Sequence, residues 1–151
     1  MPEAAPTVLI LTAGFGDGHN SAARSIVAAV AEASGGRVQA RMVDLFPSAV
    51  PRMNTFLKWG YEFLTTHFPA LWGGLYKLAE KDSGQGNLGW KFFPELHRQL
   101  SVCLSTERPA AVLSTFPMYP YLLSEVKAGL PFPKFCGTVI TDSISINHVW
   151  T

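Results

Sequence analysis

The chain has 151 residues, 48% of them hydrophobic and 15% charged, with a formal net charge of +1. That length suits one domain with a sizeable core, and the composition excludes a disordered polymer. A charge so close to zero, with no lysine and arginine run, excludes nucleic acid held through a strong positive field.

The opening Met1-Pro2-Glu3-Ala4-Ala5-Pro6 lacks the basic-then-apolar order of a secretory signal. No later stretch approaches the ~20 apolar residues of a spanning helix. Residues 8–13 form a continuous apolar run, which predicts a strand buried on both faces of a parallel sheet. Gly14, Gly16 and Gly18 follow, allowing a sharp turn and close approach of bare N–H groups. A helix is predicted over 19–33, with Ala23, Ile26, Val27 and Val30 inward and Ser34-Gly35-Gly36 as its stop. Residues 38–45 alternate as a second strand, with Val38, Ala40, Met42 and Asp44 on one side, completing a βαβ unit.

From 53 to 97 the pattern is helical and crowded with aromatic side chains, interrupted at Pro69 and at Ser83-Gly84-Gln85-Gly86. Its last piece, about 88–106, directs Leu96, Leu100, Cys103 and Leu104 at a core. Residues 110–114 give a third strand, 118–129 a helix and 135–141 a fourth strand. Cys103 and Cys136 match no metal spacing and are too few for a disulfide framework, as in a reducing cytosol. The expected architecture is α/β, a Rossmann-like parallel sheet with helices on both faces and an aromatic-rich helical insertion.

In such sheets ligands bind beyond the carboxyl ends of the strands. Four segments bring polar or glycine residues there: 14–19, Asp44, 115–117 and 141–148. The glycine spacing fits neither the dinucleotide fingerprint nor a P-loop. A helix N-terminus behind glycines suits an anion, and a plain strand–helix turn is the alternative. His19 at that mouth is a general base, a hydrogen-bond donor or a helix cap. Asp17 is an N-cap or a ligand, and Asp142 is an orienting carboxylate or a turn residue. Thr115, Phe116 and Pro117 face the same rim or pack in the core, and His148 lines the rim or packs on Trp150. His67 and His97 lie within the insertion and read as surface or interface residues. The insertion's rings are either core or an exposed face in which Trp59, Trp72, Phe92 and Phe93 stand beside Lys58, Lys77, Lys81 and Lys91. That second arrangement would suit an anionic membrane surface.

The segments VLILTAGFGDGHNSAA at 8–23, STFPM at 114–118 and VITDSISINHVW at 139–150 resemble the N-terminal domain of the monogalactosyldiacylglycerol synthase family, which includes processive diacylglycerol glucosyltransferases. The resemblance implies the acceptor half of an inverting GT-B glycosyltransferase, moving a hexosyl group from a UDP-sugar co-substrate to diacylglycerol at the inner face of the cell membrane. It implies no metal and no further cofactor. By motif, His19 would be the catalytic base with Asp142 beside it. Gly14, Phe15, Gly16, Asp17, Gly18, Asn20, Thr115, Phe116, Pro117 and His148 would form the substrate-binding rim. The family continues beyond position 151 into a nucleotide-sugar domain. The expectation is therefore a single, incomplete N-terminal domain over 1–151, inactive alone, whose donor half acts in cis or in trans. An open sheet edge would favour self-association. The other reading is a non-catalytic lipid- or sugar-binding module.

Overall fold

The computed structural model describes residues 5–15, 17–51, 55, 59–60, 63, 66–68, 71, 94–126 and 133–141. Strands β1 (Thr7–Thr12), β2 (Gln39–Asp44), β3 (Ala111–Ser114) and β4 (Phe135–Thr138) form one sheet in the order β2-β1-β3-β4. Each described pairing is parallel. Among the described residues the helices given in full are α1 (Asp17–Ser34), α2 (Phe46–Ala49), α3 (Pro94–Glu107) and α4 (Met118–Val126). The expected α/β class, with a parallel Rossmann-like sheet and helices around it, is what the chain adopts.

β1 is central because its run of apolar side chains can be covered on both faces. Leu9 and Leu11, fully buried, join Val112 of β3 in a core closed by Phe46, Leu96, Leu100, Leu104, Tyr119, Leu122 and Val126. Ile10, of opposite parity, is also fully buried, and α1 packs against β1 and β2. Along α3 the leucines at 96, 100 and 104 recur at helical spacing, so one stripe is buried while Arg98 and Val102 face solvent. Cys103 beside that stripe is half-buried, and neither it nor Cys136 is in a disulfide.

α1 begins at Asp17, two residues earlier than the apolar period suggests. Its end is a Schellman-type stop: Gly36 N–H donates to Ala31 O and Gly35 N–H to Glu32 O, each at 3.1 Å. Gly35 sits at φ +57°, the left-handed region where a Cβ is penalised. β2 is an edge strand and behaves as one. Val43 packs on the core, whereas Met42 on the opposite face is left exposed and Arg41 pairs with Glu107 of α3.

Candidate functional site at the carboxyl rim of the sheet

Strand register lines up four polar residues across the carboxyl end of the sheet. Asp44 pairs with Thr12, Ser114 with Leu11 of the same strand, and Thr138 with Ser114. The side chains of Asp44, Ser114 and Thr12 fix the segments that follow their strands. Asp44 Oδ2 accepts from Gly14 N–H at 2.9 Å while its Oδ1 accepts from Phe46 N–H at 3.0 Å. One carboxylate thus ties the glycine loop to the start of α2. Ser114 Oγ donates to Phe116 O at 2.7 Å and accepts from Phe116 N–H at 3.2 Å, fixing the third turn on itself. The fully buried Thr12 donates to Asn20 Oδ1 at 3.0 Å and anchors the first turns of α1 to β1.

Three phenylalanines follow these turns and meet. The Phe15 ring stacks on Phe116 at 5.5 Å and meets Phe46 edge-on at 5.1 Å. Phe46 also meets Phe116 edge-on, at 5.4 Å. Buried beneath them, Tyr119 accepts from Leu45 N–H at 3.2 Å. Burial pushes its phenol above the ordinary tyrosine value, against the opposing pull of that hydrogen bond. The aromatic cluster gives the rim a rigid apolar floor.

His19 stands on this floor. It is half-buried in the first turns of α1, its ring perpendicular to Phe116 with centroids 5.2 Å apart. Its Nδ1 lies 2.7 Å from Thr141 Oγ1, across 122 positions of sequence. The imidazole is therefore gripped by β1's helix, by β3's turn and by the segment after β4.

The anticipated site residues fall into three groups. His19, Gly14, Phe15, Asn20, Thr115 and Phe116 are brought to one rim, although Thr115 is fully buried. Pro117, half-buried, sits in the turn before α4. Asp17 is exposed and pairs with Arg24 at 3.0 Å, an arrangement its place in a helix's first turn explains. Gly16, Asp142 and His148 lie outside the described residues, as do Trp72, Phe92 and Phe93. Gly18 corrects one expectation. It lies inside α1 and not in a sharp turn, and a Cβ there would meet nothing within 4 Å. Among the described residues its lack of a side chain serves no packing need.

Asp44 and Thr141 fall within the segments that the sequence brings to this rim, but what each one binds has no local signal. The hold of Asp44 on Gly14 is set by strand register. Thr141 carries no motif of its own, and its neighbour Asp142 is the more conspicuous chemical group.

Comparison with known proteins gives the rim its context. Residues 19–151 match the family model described as Monogalactosyldiacylglycerol (MGDG) synthase. The chain belongs to that family. It is similar to a processive diacylglycerol beta-glucosyltransferase of Bacillus cytotoxicus, 28% identical over 145 residues, which cover 96% of this chain and 36% of that protein. Proteins of the same description from Bacillus thuringiensis and Bacillus cereus are each 26% identical over 145 residues, again 96% of this chain and 36% of theirs. The chain thus spans little more than a third of the length of these relatives. No solved structure matches.

The aromatic insertion is described at a few positions. Trp59 stacks on Phe63 at 5.3 Å, Phe63 on His67 at 4.8 Å, and Phe68 lies 5.9 Å from Phe63. Trp59 is 60% exposed, Phe63 40%, Phe68 51% and Leu71 55%, so these side chains are displayed and not core. Among the described residues no helix is long and apolar enough to cross a membrane.

Proposed function

We propose that this chain is the acceptor side of an inverting glycosyltransferase that moves a hexosyl group from a UDP-sugar to the hydroxyl of diacylglycerol. His19 acts as general base. It takes the proton of the acceptor hydroxyl as that oxygen attacks the anomeric carbon from the face opposite the leaving group. The bond from that carbon to the nucleotide diphosphate breaks, its electron pair leaving on the phosphate oxygen. An imidazole suits this role because it titrates near neutrality. The N-terminal end of α1 supplies N–H donors for the negative charge that develops on the phosphates.

The observation that carries this reading is His19, half-buried and held by two unrelated segments at the carboxyl rim, the place where such sheets present ligands. Family membership supplies the reaction class, and the names of the relatives supply diacylglycerol as acceptor. The displayed rings of Trp59, Phe63 and Phe68, with the exposed Leu71, support a membrane-surface role, in which the protein meets a bilayer-dissolved acceptor at the cytoplasmic face. Nucleotide-sugar binding then belongs to a region supplied in cis or in trans, beyond the third of the relatives that this chain matches.

The test is transfer of labelled hexose to diacylglycerol in vesicles by a polypeptide that continues this chain to the length of its relatives. His19→Ala should lower turnover about 10²- to 10⁴-fold with the fold retained by circular dichroism. Unchanged turnover overturns the base assignment. Vesicle binding without any transfer would favour a lipid-binding module instead.

A further inference from the structure

We infer that Thr141 is the positioning residue of His19: its hydroxyl accepts the Nδ1–H of the imidazole and so keeps the ring's lone pair on Nε2. The inference deepens the transferase reading and rests on it for its catalytic meaning, though the pairing itself is a matter of structure. Thr141 Oγ1 lies 2.7 Å from Nδ1, a strong hydrogen-bond distance. No local geometry produces that contact, because 122 positions separate the two residues.

What produces it is Ser114. The carbonyl of this fully buried residue accepts from Val139 N–H at 2.7 Å, which carries the β3–β4 pairing past Thr138 and delivers Thr141 to the rim. The hydroxyl of the same Ser114 fixes Phe116, donating to its carbonyl and accepting from its N–H. Phe116 holds the His19 ring edge-on at 5.2 Å and is itself stacked by Phe15. Two groups that grip the imidazole, Phe116 and Thr141, are therefore set from one buried anchor. Phe116 fixes the plane of the ring, and Thr141 fixes which nitrogen carries the proton.

That second choice decides the chemistry. A hydroxyl can accept or donate, and neutral imidazole has one nitrogen of each kind. If Thr141 accepts from Nδ1–H, Nε2 is the base that the proposed proton transfer requires. If Thr141 donates to Nδ1, Nε2 carries the proton and the ring serves only as a donor.

The protein labelled with ¹⁵N in its histidine rings answers the question directly by long-range ¹⁵N–¹H correlation, at a pH where His19 is neutral. The expected signature is a pyrrole-type Nδ1 and a pyridine-type Nε2. Thr141→Val should give a mixture of tautomers, and Thr141→Ser should restore the single form. In the transfer assay, Thr141→Val should lower kcat about 10- to 100-fold with KM little changed, and Thr141→Ser should recover most of it. A pyridine-type Nδ1 in the unaltered protein overturns the inference, and so does a Thr141→Val protein with unchanged signature and turnover. Should Thr141→Val fail to fold, the unaltered protein and Thr141→Ser still decide the tautomer. Absence of transfer, or full turnover in His19→Ala, would strike the transferase reading and leave the spectroscopic result standing.

Discussion

The carboxyl rim and the described positions of the aromatic insertion each carry rings and a histidine, yet the contacts described for them differ in range. At the rim, partners come from distant segments: Asp44 reaches Gly14, and Thr141 reaches His19. On the insertion, Trp59 meets Phe63 and Phe63 meets His67, each one helical turn away, with large parts of the rings open to solvent. Long-range contacts fix a geometry, whereas local stacking only arrays a surface. Under the proposed function, the first arrangement would suit a reaction centre and the second a broad, adaptable contact with lipid.

This contrast breaks most visibly at Asp44. Asp44→Ala removes the acceptor of two backbone N–H groups in one step, and the expected loss is about 2–3 kcal/mol in urea unfolding. The damage should reach the glycine loop first. Backbone amide signals of Gly14 and Phe46 would shift while those of α3 stay in place. A loss below about 0.5 kcal/mol would mean that water replaces the carboxylate at no cost, and that the rim is not held as described.

The insertion should respond in the reverse sense. Replacing Trp59 and Phe63 together by Ser removes side chains that are 60% and 40% exposed, so stability should change by no more than about 1 kcal/mol. Binding to anionic vesicles should fall about tenfold for each ring, from the apolar area no longer available to the interface. Co-sedimentation unchanged by both substitutions would remove the membrane role from this face.

The two regions also differ in how far the sequence revealed them. β1, α1 and α3 were legible because their signals are local: a continuous apolar run, a glycine stop, and leucines at 96, 100 and 104 at helical spacing. Asp44 was legible as a rim residue, since a parallel partner places it beside Thr12, but its hold on Gly14 depends on register that spacing alone does not supply. The pairing of His19 with Thr141 was not legible at all. It depends on three strands lying side by side, and threonine after a strand carries no signature of its own. For the insertion, core and displayed face produce the same pattern of rings, and only burial separates them.

Gly18 allows the rim to be examined from the side of the ligand. In α1 this glycine has helical neighbours and open space where a Cβ would stand, so Gly18→Ala should stabilise the fold by about 0.5–1 kcal/mol. Under the proposed function the added methyl would meet the substrate phosphates at the helix end, and transfer should fall while thermal stability rises. Gains in both would show that nothing approaches the backbone at this position, and the glycine loop would lose its place in the site.

The smallest expected effect concerns Thr115. Its side-chain oxygen is fully buried, with no hydrogen-bond partner among the described residues, one step beyond the carboxyl end of β3. A buried hydroxyl left unpaired costs roughly 1–3 kcal/mol, whereas an apolar group of the same shape carries no such penalty. Thr115→Val keeps the β-branched shape, so midpoint stability should stay level or rise slightly, by up to about 1 kcal/mol. A clear fall, beyond about 1 kcal/mol, would instead reveal a water or a chain segment that satisfies this oxygen. The comparison with Gly18 then becomes informative. Both positions are expected to tolerate a methyl group in the folded chain. If only Gly18→Ala slows transfer, the acceptor and donor meet at the helix end; if Thr115→Val slows it equally, the buried hydroxyl opens to the substrate when the rim is occupied.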